Sequence, residues 1–282
     1  MSGALEIAVL GDLHGQFELE SDGPILAPYS LRLCTGDLTP NGGRDRFEIA
    51  MRIARELGGL ATWTLLGNHD GPTCFTSRRF PRSYRRLETA LDGHHLGGRR
   101  VELPALGLTL VGGRPLSMGG DDLRFAVPDF EDFSLEDWGA HVGALILAAE
   151  QDTVVVLAHG GPTGLGGARE DIYGCDFRPE AGDWGDPDLR AALDIAAAGG
   201  RPPAAVVAGH MHHRLRGGGE RTRCLRDEGT LHLNAAVTPR IRGDLRAITI
   251  LRLEGGRATA RIDWHGPDGL VESEDLEAAA AD

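Results

Sequence analysis

"TWTLLGNHDG", residues 62–71, decides how this chain reads. An apolar run of strand character stops at a glycine, and asparagine, histidine and aspartate follow at once. These side chains are costly to desolvate, yet they stand at the mouth of a core. The same event recurs along the sequence. "LEIAVLGDLHG" runs into Asp12 and His14, "SLRLCTGD" into Asp37, "TVVVLAHGG" into His159, and "AAVVAGHMHH" into His210 and His212.

Between these runs lie segments of helical period. Apolar residues recur at Phe47, Ile49, Ala50, Ile53, Ala54 and Leu57, which predicts a helix over 44–57, and similar patterns cover 135–150 and 188–197. Short β-branched runs alternating with helices predict an α/β domain. Further on, "TLHLNAAV", "RAITILRL" and "ATARIDW" follow one another closely and predict an antiparallel meander. One domain over 1–265 accounts for the pattern. Residues 71–100 are basic and turn-rich, and read as an insertion capping one end of the sheet. The acidic tail, 266–282, lacks aromatics and is expected to fray.

Ligands in α/β sheets gather beyond the carboxyl ends of strands, so the polar residues at these ends can meet in one place. Parity supports this. In extended backbone residues i and i+2 share a side, which pairs Asp12 with His14 and His210 with His212 and turns Leu13, Met211 and His213 away. Glycines at 11, 36, 67 and 209 permit sharp turns just before the polar groups. Each histidine alone is an ordinary rim residue; together they form one chemical pattern. Carboxylates, a carboxamide and imidazoles without thiolate suit divalent Mn, Fe, Zn, Ni or Co. The donors outnumber the needs of one ion. Two ions about 3.5–4 Å apart and sharing a carboxylate would use them all, with Asp37 the natural bridge.

Composition narrows the chemistry further. The formal charge is −13, which opposes nucleic acid and anionic membrane as partners, although "SRRFPRSYRR" at 77–86 is a local basic exception. All 29 basic residues are arginines. Schiff-base chemistry and a P-loop lysine are thereby excluded. The four cysteines are scattered without a CxxC pair, so neither a disulfide framework nor a thiolate zinc site is expected. The amino terminus enters a strand-like run directly, and no stretch approaches 18 apolar residues. A cytoplasmic protein is expected, with no membrane partner.

Taken in order, "DLH", "GD", "GNHD", "H" and "GHMH" resemble the calcineurin-like metallophosphoesterase superfamily, with every motif intact between Asp12 and His212. The resemblance implies a four-layer α-β-β-α sandwich of two mixed sheets flanked by helices, with a dinuclear site at the strand ends. It places Asp12, His14, Asp37 and His212 on one metal and Asp37, Asn68, His159 and His210 on the other. Manganese comes first among the metals it suggests. His69 corresponds to the family's catalytic histidine, which contacts the phosphate and assists the leaving group. The implied activity is hydrolysis of a phosphomonoester or phosphodiester, on a small-molecule substrate, by a hydroxide shared between the ions. "GDLTPNG" lacks the acidic-arginine element of the serine/threonine protein phosphatases, which argues against that branch.

Two alternatives arise from the same residues: a non-catalytic binding or scaffold module on this fold, and a nuclease using Arg78, Arg79, Arg82, Arg85 and Arg86. Beyond the motifs, Arg114 is read as a surface residue with a phosphate contact as the lesser option. Asp70 is read as structural, and "GGPTGLGG" at 160–167 as a turn. His94, His95, His141, His232 and His265 have no matching spacing and no assigned role.

Overall fold

The computed structural model describes residues 3–71, 82–125, 127 and 129–280. In the first sheet β1 (Leu5–Leu10), β2 (Leu31–Cys34) and β3 (Trp63–Thr64) run parallel. The other edge of β1 pairs antiparallel with β11 (Leu245–Glu254), which continues into β12 (Arg257–Gly266) and β13 (Gly269–Leu276). The short β10 (Ile241–Arg242) also pairs with β11. The second sheet has the order β14 (Ala279–Ala280), β8 (Cys224–Asp227), β9 (Thr230–Asn234), β7 (Ala205–Ala208), β6 (Thr153–Leu157), β5 (Leu108–Gly112) and β4 (Arg100–Leu103). Its centre, from β5 through β6 and β7 to β9, is parallel.

Alternate residues of these strands face opposite layers. Ile7, Val9, Leu33, Leu110, Val155, Leu157 and Val207 share one buried cluster between the two sheets. Their neighbours Ala8, Leu10, Cys34, Val111, Val156 and Val206 join the cluster under the helices instead. Both faces are apolar, so these strands read as continuous runs rather than alternating ones. Replacing one such residue, Leu33 for instance, by alanine costs about 2–5 kcal/mol. α1 (Leu19–Leu26), α2 (Arg46–Gly59) and α3 (Arg82–Ala90) cover the first sheet, and α4 (Leu135–Leu147) and α5 (Pro187–Ala198) pack together over the second. The result is two mixed sheets flanked by helices. No helix among the described residues is long and apolar enough to cross a membrane.

Several expectations need correction. α1 is not among the predicted helices; it contains Gly23 and Pro24, and buried Asp22 accepts from the Glu18 N–H (2.9 Å) and from Arg240 Nη2 (2.6 Å) and anchors the turn. The predicted meander holds only for β11 and β12. β9 lies in the other sheet, between β7 and β8, because the chain crosses sheets after Asn234. Residues 266–282 do not fray where they are described: β13 pairs with β12, and β14 pairs with β8. Ser273 Oγ donates to Asp263 (2.6 Å) and Arg223 Nη1 to Glu274 (2.8 Å), so the acidic strand has partners while its exposed charges blunt a sheet edge. Within 71–100, Tyr84, Leu87, Leu91 and Leu96 are buried core residues, so α3 and the segment leading from it to β4 belong to the domain itself. Arg78 and Arg79 lie outside the described residues; Arg85 is paired with Glu88 and Asp129, and Arg86 rests on Phe47.

Candidate metal centre

The carboxyl ends of β1, β2 and β3 from one sheet and of β6 and β7 from the other open on a common rim. Asp12 and His14 follow β1, Asp37 follows β2, and Asn68 and His69 sit in a single 3-10 turn after β3. His159 follows β6, and His210 and His212 follow β7. His14, Asp37 and His210 adopt left-handed backbone, with φ of 42°, 49° and 66°. Such strain in non-glycine residues survives only where the surroundings enforce it. A Cβ at Gly67 would overlap the Asp37 carboxylate and the His159 ring, and one at Gly209 would overlap the Asp12 carboxylate. Glycine at these two turns therefore makes room for side chains that arrive from other strand ends.

Ligand atoms of Asp12, His14 and His212 lie within 4.8 Å of one another, as do those of His14, Asp37 and His69, and those of Asp37, His159 and His210. Asp37 stands between the outer groups, 3.7 Å from His14 Nε2 and 3.4 Å from His159 Nε2. Its Oδ1 also accepts the His69 N–H at 2.9 Å. Two backbone carbonyls set the histidine tautomers. His159 Nδ1 donates to Thr35 O (2.8 Å), and His210 Nε2 donates to Met118 O (3.1 Å). The opposite nitrogens turn lone pairs toward Asn68 Oδ1, at 2.8 Å from His159 Nε2 and 3.0 Å from His210 Nδ1. Electron pairs converging on one point repel unless a cation lies among them. On the other side, His14 Nδ1 faces Thr39 O (3.4 Å) and its Nε2 stands 3.1 Å from His212 Nε2. This donor chemistry fits divalent cations.

The electrostatics agree with the geometry. Burial works against the charge of Asp12, but the His212 hydrogen bond and the nearby histidines outweigh it and hold the carboxyl well below its usual range. Burial, reinforced by His159, pushes His210 down to about 4. His69 is lowered, chiefly by burial, with Asp37 partly opposing. His159 and His212 are raised: burial opposes their charge, and the surrounding carboxylates outweigh it. Burial and the Asp37 charge push Asp70 up to about 6, against donors from Thr39, Gly67 and Leu38. Those donors make Asp70 a staple. It accepts from Leu38 N (3.2 Å), Thr39 N (2.9 Å), Thr39 Oγ1 (2.8 Å) and Gly67 N (3.0 Å), tying the Asp37 loop to the Asn68 turn.

A family model described as calcineurin-like phosphoesterase matches residues 5–214. The chain belongs to the calcineurin-like phosphoesterase family. None of the curated proteins matches it by sequence. Among solved structures, GAP50, the anchor in the inner membrane complex of Plasmodium, is similar with a TM-score of 0.52 at 10% identity, over 98% of this chain and 89% of that one. Sulfate thiohydrolase SoxB of Thermus thermophilus gives 0.47 at 15% identity, over 91% of this chain and 42% of that one. A predicted phosphoesterase of Streptococcus pneumoniae gives 0.36 at 11% identity, over 98% of both chains.

In this calcineurin-like phosphoesterase every sequence-nominated donor reaches the rim, and the other histidines stay away from it. His213 turns inward as expected, although the left-handed backbone at His210 means that strand parity is not the cause; its Nε2 is 2.8 Å from Asn234 O. Arg114 departs from both readings made for it. It is buried, with Nε and Nη2 on Asp188 (2.9 and 3.0 Å) and Nη2 on Asp186 (3.1 Å), and it locks β5 to the start of α5. The 160–167 run is a packing turn: a Cβ at Gly161 would overlap Tyr173. Sequence reasoning missed the orienting carbonyls of Thr35 and Met118. It also missed Trp184, whose Nε1 donates to the same Met118 O at 2.7 Å. The neutral and basic residues of the cleft beside His212 were missed as well.

Proposed function

We propose that this protein is a phosphoric ester hydrolase that cleaves a small phosphomonoester or phosphodiester at a pair of divalent cations. Family membership supports phosphoester hydrolysis in general. One observation carries the reading to this chain: imidazoles and carboxylates from five strand ends converge, with His159 and His210 fixed by backbone carbonyls outside the centre. Asp12, His14, Asp37 and His212 would hold one ion, and Asp37, Asn68, His159 and His210 the second. Bound there, the ions supply Lewis acidity and a water acidic enough to act as hydroxide near neutral pH. Manganese is the first candidate among Mn, Fe, Zn, Ni and Co.

The chain's own residues do the rest. The Thr35 and Met118 carbonyls select the neutral tautomers of His159 and His210 that carry the proton on the outward nitrogen. The His69 N–H holds Asp37 Oδ1, so the turn that presents His69 also orients the shared carboxylate. The His69 ring packs edge-on to His14 at 4.9 Å, half-buried at the lip of the centre, where its N–H can meet a phosphate oxygen or the departing alkoxide. A scaffold role needs none of these donors, so their convergence supports hydrolysis over it.

Purified protein loaded in turn with Mn²⁺, Ni²⁺, Fe²⁺ and Zn²⁺ is expected to hydrolyse p-nitrophenyl phosphate or its bis ester. His69→Ala is expected to retain metal and lose about 10²–10⁴ in kcat. Inertness toward both esters with every metal contradicts the proposal.

A further inference from the structure

The acidic chain opens an unusual cleft at the exposed side of the centre. A cavity of about 460 Å³ begins at Asp12, His14 and His212 and runs outward past Gln16, Asn41, Arg214 and Arg216. In a protein with 42 aspartates and glutamates, the only carboxylate lining it among the described residues is Asp12 of the metal centre itself. Neither Arg214 nor Arg216 has a carboxylate partner for its guanidinium among the described residues. The nearby acids are engaged elsewhere. Glu220 pairs with Arg223, and Asp176 accepts the Arg216 backbone N–H (2.8 Å) and Arg221 Nη2 (3.3 Å).

The loop that carries the two arginines is also held in place. Arg214 pairs across a tight hairpin with Glu220 through the backbone, and Arg221 N donates to His213 O at 2.9 Å. Arg221 Nε bonds His212 O at 3.1 Å, while its Nη1 bonds the carbonyls of Arg169 (3.0 Å) and Asp171 (2.9 Å), which fixes the loop that carries them. The Arg216 guanidinium lies over the Phe177 ring at 5.3 Å, and Phe177 packs edge-on against Trp184 at 5.3 Å. A guanidinium stacked on an aromatic face keeps its fork of donors free at its edge.

From this placement we infer that the cleft is a second anion subsite. Resting on the proposed function, the inference names the substrate class as a phosphate ester whose other end carries a further anionic group, a phosphate or carboxylate. The ester is held at the metal centre, and the distant anion is received by Arg214 and Arg216, with Gln16 and Asn41 as neutral donors. The volume suits a short organic spacer plus one such group.

The test is binding of two compounds that cannot be hydrolysed, propylphosphonate and propane-1,3-bisphosphonate, to the metal-loaded protein by calorimetry. The bisphosphonate is expected to bind about five- to tenfold tighter in wild type, the range open to two partly exposed ion pairs. The preference is expected to shrink with added salt. In Arg214→Gln/Arg216→Gln it is expected to fall below about twofold, with propylphosphonate affinity and melting temperature unchanged. A preference absent in wild type, or equally strong in the double variant, overturns the subsite and leaves the hydrolase reading standing. Failure of propylphosphonate itself to bind wild type counts against the hydrolase reading, and the subsite falls with it.

Discussion

The two halves of the rim are built differently. Around Asn68, His159 and His210 the centre is closed: His159 is fully buried, and carbonyls fix the outward nitrogens of both histidines. Around Asp12, His14 and His212 it is open, with the His212 side chain 38% exposed and facing the arginine-lined cleft. Asp37 stands between them, 3.7 Å from His14 Nε2 and 3.4 Å from His159 Nε2. The difference separates holding from exchange: donors preset by fixed acceptors bind without reorganising, whereas donors at a cleft mouth leave room for a substrate to enter.

The harshest way to break this comparison is Asp37→Asn, which damages both halves at once. Hydrolysis should fall on the order of 10³-fold or more, at least the cost of deleting one charge-stabilising donor. Elemental analysis should show metal lost from both positions rather than one. A gentler probe sharpens the comparison instead. Stepwise metal titration should resolve a tight and a weaker position, about 10–100-fold apart, the usual effect of outer-shell support on affinity. His159→Ala should abolish the tight step and His212→Ala the weak one. If both variants lose the same step, the halves are not distinct.

A last effect lies outside the rim and marks its boundary. Burial, with the Arg190 charge adding to it, pushes His232 down to about 4, and its Nδ1 has no hydrogen-bond partner among the described residues. The unfolded chain binds a proton that the native state refuses, so the stability His232 leaves intact above about pH 6.5 is lost as pH falls toward 4. The linkage amounts to about 2–3 kcal/mol at pH 4. His232→Leu should reduce the fall of the melting temperature across that window in thermal scans while metal binding is unchanged.

Much of this was legible in the sequence because the donors are residue types that a strand end rarely collects. Asp12, His14, Asp37, Asn68, His159, His210 and His212 were nominated by type, spacing and preceding glycines, and the rim gathers all of them. The supports were illegible for a definite reason. Every residue has a carbonyl, so nothing in "SMGG" marks Met118 O as the acceptor for His210 Nε2 and Trp184 Nε1. Arg114 was misread because its partners Asp186 and Asp188 lie far along the chain. The acidic tail was misread because composition suggests solvation, while β12 offers an open edge that an acidic strand can pair with while nearly all its side chains stay exposed. α1 was missed because Gly23 and Pro24 mask a helix that Asp22 and Arg240 anchor through the core.

The claim on which the account turns is that two cations share Asp37. Electron paramagnetic resonance of the Mn²⁺-saturated protein tests it most directly. The account predicts the exchange-coupled spectrum of a manganese pair, replaced in Asp37→Asn by that of isolated ions. A wild-type spectrum of isolated ions alone, at full loading, would contradict it.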